Sequence, residues 1–310
     1  MTQPPAIVPE PRIIREGQTL GGRGRLVDYA NLVKLPHTVF ALPFALVGAT
    51  PASYRFPVRA MDLLLILVAF TAARFAAMGF NRIVDRVIDA RNPRTRMREI
   101  PAGKLSVAQA GAAVALASAT FFLAAGLLNR LCLLLAPFAL GWILFYSYTK
   151  RFTRWAHLVL GIALAIAPVG AYLAIAGRWS DPAGILLALA GAVLCWVAGF
   201  DILYSLQDLE FDRREGLNSV PAAFGSRRAL WISRGLHALC VVLFATVGVL
   251  MPELGSWYFV GVGLIAAMLS YEQSLVRADD FRRIDAAFFN VNGAISLVFF
   301  GLVLAGRLVG

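Results

Sequence analysis

The sequence predicts an all-α polytopic membrane protein with nine transmembrane helices. Composition is the first observation behind this: of 310 residues, 59% are hydrophobic and only 15% charged, with a mean hydropathy of +0.71. A soluble domain carries about a quarter charged residues. The second is that apolar runs long enough to cross a roughly 30 Å hydrocarbon core recur along the chain. The third is that the charges are gathered into a few connections between those runs.

In chain order, residues 1–25 are rich in Pro, Gly and charge, which predicts a disordered cytoplasmic tail with no cleavable signal peptide. A single membrane domain is expected over 26–310. The runs fall at about 36–54, 60–80, 107–127, 131–148, 157–176, 183–205, 230–250, 256–275 and 286–306. The first and sixth are interrupted by Pro or Gly, which helices packed in a membrane tolerate.

With the N-terminus inside, 22 of the 29 Lys and Arg residues lie on the inner segments and five on the outer ones. That is a strong positive-inside bias. The net charge of +11 therefore reports topology and does not point to nucleic acid. The longer or more charged connections, 81–106, 149–156, 206–229 and 276–285, all fall on the cytoplasmic face. The loops at 81–106 and 206–229 follow helices two and six, which suggests a parallel duplication of four helices with a ninth added.

Cys132, Cys195, Cys240, His37, His157 and His237 are scattered inside or at the ends of the runs, without metal-ligand or disulfide spacing. They read as buried packing residues.

Two acidic constellations carry the chemistry. At about 100° per residue, Asn81, Asp85 and Asp89 share one helix face, with Arg74 seven residues before Asn81 on the same stripe. Alone, such a stripe also describes a solvated helix end. In DILYSLQDLEFDRREGLNS, however, Asp201, Asp208 and Asp212 line one stripe at the end of another inward-running helix. Glu210 and Glu215 point elsewhere and read as solvated. An acid at the edge of an apolar run, as Asp201 is, is costly without a partner.

Facing carboxylates repel one another unless a hard divalent cation joins them. Mg²⁺ binds through one or two carboxylates together with substrate phosphates. Around the acids, Arg94, Arg98, Lys104, Lys150 and Arg151 could give charge-assisted hydrogen bonds to a diphosphate. The expectation is a site where a diphosphate leaves, next to an apolar cavity holding the organic part.

The stretch RFAAMGFNRIVDRVID, followed by REIPAGKLS, resembles the first signature of the UbiA superfamily of intramembrane prenyltransferases. Asp208 and Asp212, followed by Gly216, Ser219 and FG at 224–225, resemble its second Asp-rich signature; YSYTKRFT and APVG at 167–170 are similar too. The resemblance covers the chain from about residue 28. It implies nine transmembrane helices around a central cavity and Mg²⁺-dependent transfer of a polyprenyl group from its diphosphate to an acceptor, often aromatic. It implies that Asn81, Asp85 and Asp89 form one metal and diphosphate motif, and Asp208 and Asp212 the second. Asp201 would orient the acceptor or support the metal. Tyr148 and Tyr204 would stabilise positive charge or position the ring, although both also suit ordinary helix packing. Arg74 would contact acceptor or diphosphate, or pair with Asp85.

The run NRIVDRVIDARNPRT most resembles bacterial quinone-pathway members of the 4-hydroxybenzoate polyprenyltransferase kind. Many of those have Asp after the first Asn, where this chain has Arg82. The acceptor expected is therefore an aromatic carboxylate, either 4-hydroxybenzoate or a dihydroxynaphthoate, met by Arg74, Lys150 or Arg151. The location expected is the bacterial inner membrane, with the site loops cytoplasmic. The alternatives are another transferase of the same type, such as a haem farnesyltransferase, and a proton-coupled transporter. A transporter would place its acids near the bilayer midplane.

Overall fold

The computed structural model describes residues 20–22, 24–278, 280, 281, 284 and 291–309. The expectation for residues 1–19 and the start of the ninth run, 286–290, lie outside the described residues. What is described of the tail is tied down: Leu20 N–H donates to Asn31 Oδ1 at 2.8 Å, and Asn31 Nδ2 donates back to Leu20 O at 3.1 Å.

The helices are α1 Arg25–Leu32, α2 Leu35–Ser53, α3 Ala60–Arg91, α4 Val107–Leu128, α5 Arg130–Thr149 and α6 Ala156–Ala176. They continue with α7 Gly184–Ser205, α8 Leu209–Arg214, α9 Val220–Phe224, α10 Ser226–Leu250, α11 Gly255–Leu275 and α12 Asn292–Val309. Seven described helices are long and apolar enough to cross a membrane: α3 to α6, α7 with its continuation to Arg214, α10 and α11. The helix α12 is apolar but shorter, and α2 occupies the place of the first apolar run. Leu116, Leu123, Leu127 and Leu187 point outward from the bundle, as expected of side chains that meet lipid tails. The chain is an integral membrane protein.

Two features of the bundle place the site. First, α3 has 32 residues, about 48 Å at 1.5 Å per residue, so its last turns run beyond a hydrocarbon core. Asn81 to Asp89 lie on those turns. Second, α7 is the central helix, packed between α6 and α10, with Ala192, Val197 and Ala198 fully buried. Small residues allow this approach: a Cβ on Gly161 would lie 2.6 Å from the carbonyl oxygen of Leu194.

The second acidic stretch is not one uninterrupted helix. After Ser205 the chain tightens into a 3₁₀ turn at Leu206–Asp208 and restarts as α8. The single stripe expected for Asp201, Asp208 and Asp212 is corrected accordingly: the three carboxylates stay at one end of the bundle but find separate partners.

Candidate active site

On α3, Asn81 Nδ2 donates to Asp85 Oδ2 at 2.9 Å, the contact that i,i+4 spacing allows. Asp89, one turn on, is buried and accepts from Arg98 Nη1 at 2.7 Å. Its second oxygen, Oδ2, is buried with no hydrogen-bond partner among the described residues.

The connection from α3 to α4 folds back over this helix end. Thr95 Oγ1 donates to the carbonyl of Asp89 at 3.1 Å, and Arg94 N–H donates to Asn92 Oδ1 at 2.9 Å. Leu105 is buried against Leu32, Val33 and Ala110, with Ile100 packed beside them. Gly103 turns the segment with φ +72°, a conformation that glycine adopts at little cost. Ser106 and Gln109 then close a capping box on α4. The effect is to deliver Arg94 and Arg98 inward while Lys104 stays exposed on the outer side of the turn.

Arg94 joins the two acidic halves. Its Nε donates to Asp208 Oδ1 at 2.9 Å and its Nη2 to Asp208 Oδ2 at 2.6 Å, while Asn92 Nδ2 donates to Asp208 Oδ1 at 3.1 Å. Its Nη1 also donates to Tyr204 OH at 3.0 Å, and the guanidinium lies 5.3 Å from that ring's centroid. Asp212 is buried beside Ser219, and its Oδ2 has no hydrogen-bond partner among the described residues.

Asp201 belongs to a dyad that the sequence reading missed. Its Oδ2 lies 2.7 Å from His157 Nδ1. Val220 N–H donates to His157 Nε2 at 3.3 Å, so Nε2 is the acceptor and Nδ1 carries the proton toward Asp201. His157 itself is fully buried.

Lys150 caps α5 between the halves, held by Asn218 N–H donating to its carbonyl at 2.7 Å. Burial alone would push its ammonium pKa down, but Asp212, Asp208, Asp201 and Asp85 outweigh that and hold it above the ordinary lysine value. Arg151 sits at the rim, donating to the Val84 carbonyl at 2.8 Å and reaching Asp85 Oδ1 at 3.4 Å.

These groups line one end of a cavity of about 830 Å³. Its deeper wall is apolar, including Ile66, Phe70, Phe121, Leu135 and Val193. Arg74 also lines the cavity and lies within electrostatic reach of half-buried Tyr146.

Several expectations need correcting. Lys104 does not join the cluster, because Gly103 turns it outward. Tyr148 stands outside the cavity, exposed, edge-on to Phe80 at 5.9 Å and under Arg151 at 5.4 Å. Arg94 and Arg98, by contrast, do reach the cluster, where they bond the carboxylates of Asp208 and Asp89. Glu215, read as solvated, pairs with Arg91 at 3.1 Å on the surface.

The profile of the UbiA prenyltransferase family matches residues 41–298. The chain belongs to the UbiA prenyltransferase family. A 4-hydroxybenzoate octaprenyltransferase from Nitrosospira multiformis is 31% identical over 288 residues, covering 90% of this chain and 96% of the relative. One from Marinobacter nauticus is 30% identical, covering 90% and 95%. Among solved structures, the apo UbiA homolog from Aeropyrum pernix K1 superposes with a TM-score of 0.78 at 38% identity, covering 88% of this chain and 98% of that one. A UbiA homolog from Archaeoglobus fulgidus, bound to DMAPP and Mg²⁺, shares the fold with a TM-score of 0.71 at 22% identity, covering 91% of this chain and all of that one.

For this UbiA-family chain, membership sets aside the transporter alternative, and its acids gather at one end of the bundle. The donor set also bears on a metal. Among the described residues, no three His, Cys, Asp or Glu side chains converge on one point. Instead each half holds a carboxylate with a buried, unpartnered oxygen, Asp89 Oδ2 and Asp212 Oδ2. Such a pair of sites suits a hard cation held by one or two carboxylates and completed by phosphate oxygens, rather than an all-protein cage.

Proposed function

We propose that this protein transfers a polyprenyl group from polyprenyl diphosphate to an aromatic carboxylic acid, with Mg²⁺ as the divalent cation. The acceptor is 4-hydroxybenzoate or a dihydroxynaphthoate, and the product enters ubiquinone or menaquinone synthesis. The observation that carries this reading is the meeting of two acidic halves, through Arg94 and Lys150, at one end of a long apolar cavity. The names of the relatives favour 4-hydroxybenzoate.

Asn81, Asp85 and Asp89 would hold one metal, and Asp208 and Asp212 the other. Mg²⁺ bound there supplies charge neutralisation for the departing diphosphate. Arg94, Arg98, Lys150 and Arg151 are within the same cluster and bind its remaining oxygens when the substrate arrives. The apolar wall takes the prenyl chain and excludes water from the allylic carbon.

In the transfer, the allylic C–O bond breaks and its electron pair leaves with the diphosphate. The face of Tyr204 stabilises the positive charge left on the allylic carbon. Asp201, aimed by His157, accepts a hydrogen bond from the acceptor's hydroxyl and so enriches the neighbouring ring carbon. That carbon bonds to the allylic carbon, and its proton passes to a diphosphate oxygen. Arg74 meets the acceptor's carboxylate.

In this reading α2 and α12 complete nine crossings, residues 26–310 form one domain behind an N-terminal cytoplasmic tail, and the acidic end faces the cytoplasm. The membrane is the bacterial inner membrane, as the distribution of Lys and Arg supports. The test is purified protein with Mg²⁺, a polyprenyl diphosphate and a panel of aromatic acids. Prenylation of one acid, lost on chelation, is expected; no prenylated acid under any condition would contradict the reading.

A further inference from the structure

A second crevice, of about 620 Å³, lies between α10 and α11 on the flank away from the site, lined by Arg234, His237, Val241, Ala266, Ser270 and Gln273 among others. Its mouth is at the end of α10 nearer the acidic cluster. There the guanidinium of Arg234 lies 5.0 Å from the ring centroid of exposed Trp231. A Trp–Arg pair of this kind sits at headgroup depth in a bilayer. From Arg234 to Val241 the crevice descends about 10 Å along α10, into apolar surroundings.

The polar groups in the crevice are set by a hydrogen-bond chain. Ser233 Oγ donates to the Gly199 carbonyl at 2.8 Å, so its oxygen must accept from Gln273 Nε2 at 2.8 Å. His237 Nε2 donates to the Trp196 carbonyl at 3.3 Å, leaving Nδ1 to accept from the same amide at 3.0 Å. The amide of Gln273 is therefore fixed in orientation. Its Oε1 is buried with no hydrogen-bond partner among the described residues, in a side chain more than nine-tenths buried. A buried acceptor left in this state is costly. Ser270 and Ser274 spend their hydroxyl protons on the Ala266 and Tyr271 carbonyls, so they too present oxygen lone pairs. The crevice thus offers one cation at the mouth, several hydrogen-bond acceptors, and an apolar floor.

We propose that this crevice binds an anionic phospholipid with a hydroxyl-bearing headgroup, of the phosphatidylglycerol kind. The phosphate meets Arg234, a headgroup hydroxyl donates to the exposed oxygens of Ser270 and Ser274 in front of the Gln273 amide, and an acyl chain follows Ala238, Val241 and Ala266. The site lies outside the transfer chemistry. Through Gln273, His237 and Trp196 it touches the back wall of the main cavity, since Trp196 and its partner Asn292 both line that cavity.

The test is native mass spectrometry of the full-length protein equilibrated with equal amounts of phosphatidylglycerol, phosphatidylethanolamine and phosphatidylcholine. Wild type is expected to retain phosphatidylglycerol preferentially. Arg234→Gln should weaken that retention about tenfold, the loss of one charge-assisted hydrogen bond. Ala238→Phe, on an exposed position, should block the crevice without touching the core. Equal retention of the three lipids, or preference for a zwitterionic one, would overturn the proposal. So would undiminished phosphatidylglycerol retention in both variants, or competition by tail-less glycerol phosphate at equal concentration.

Discussion

Arg94 grips Asp208 with both arms of its guanidinium, at 2.9 and 2.6 Å. Arg94 comes from the connection after α3 and Asp208 from the 3₁₀ turn after α7, so this pair ties the two acid-bearing ends together. Both side chains are about 10% exposed, so the pair is buried, and removing one partner would strand the other charge. Arg94→Lys keeps the charge but loses the fork. Its kcat/KM should fall by about 10²-fold, with the protein still folded. Arg94→Ala should also lower the thermal unfolding midpoint. Wild-type turnover in Arg94→Lys would argue against the joining role.

The unpartnered oxygens of Asp89 and Asp212 predict where the metal requirement lies. Asp89→Asn and Asp212→Asn should each raise the Mg²⁺ concentration for half-maximal activity by about tenfold or more, with little change in the acceptor's KM. Titrating activity against Mg²⁺ for both variants checks this. An unchanged Mg²⁺ dependence in both would remove these carboxylates from the metal site.

His157 acts through Asp201. His157→Phe deletes the proton that aims the carboxylate, so the acceptor's KM should rise about tenfold, the cost of one hydrogen bond to a charged group. The KM for polyprenyl diphosphate should hold. A change confined to the diphosphate substrate would place Asp201 on the metal side instead.

Lys150 carries a sign that stability can report. Its folded-state pKa lies above the ordinary 10.5, so its protonated form favours the folded state below that value. The contribution disappears as pH rises through the raised folded value. In detergent, thermal stability should therefore fall above about pH 10.5 in wild type. Lys150→Met should be less stable at pH 7, and the gap between the two should close in the alkaline range. A constant gap across that range would contradict the placement of this ammonium among the carboxylates.

Lys104 supplies the contrast. Exposed beyond Gly103, it should be silent: Lys104→Ala is expected to keep kcat/KM within about twofold and the unfolding midpoint unchanged, as surface substitutions do. A tenfold loss would show that the turn closes further over the diphosphate than its position indicates.

Much of this was legible in the residues. The spacing of Asn81, Asp85 and Asp89 needs only a helix to become a face, and α3 is that helix. The second stretch was readable as an acidic partner but not in its geometry. Nothing in LYSLQDLEFD carries the Gly or Pro that would announce the 3₁₀ turn at 206–208, where Leu206 and Phe211 are buried. His157 looked like one more polar residue at the start of an apolar run. Its pairing with Asp201, 44 positions away, exists only once α6 and α7 pack together. Charge alone assigned Arg94 and Arg98 to a diphosphate. It could not show that in the fold their own carboxylates claim them first.

The most direct test of the account is binding of a non-reactive polyprenyl diphosphate analogue, measured by calorimetry with and without Mg²⁺. Wild type, Asp85→Asn and Asp208→Asn should be compared, since these two acids lie on opposite halves. The account predicts Mg²⁺-dependent binding in wild type that weakens by at least about tenfold in each variant, as loss of one metal ligand does. Wild-type Mg²⁺-dependent binding in either variant would contradict a diphosphate held jointly by the two acidic halves.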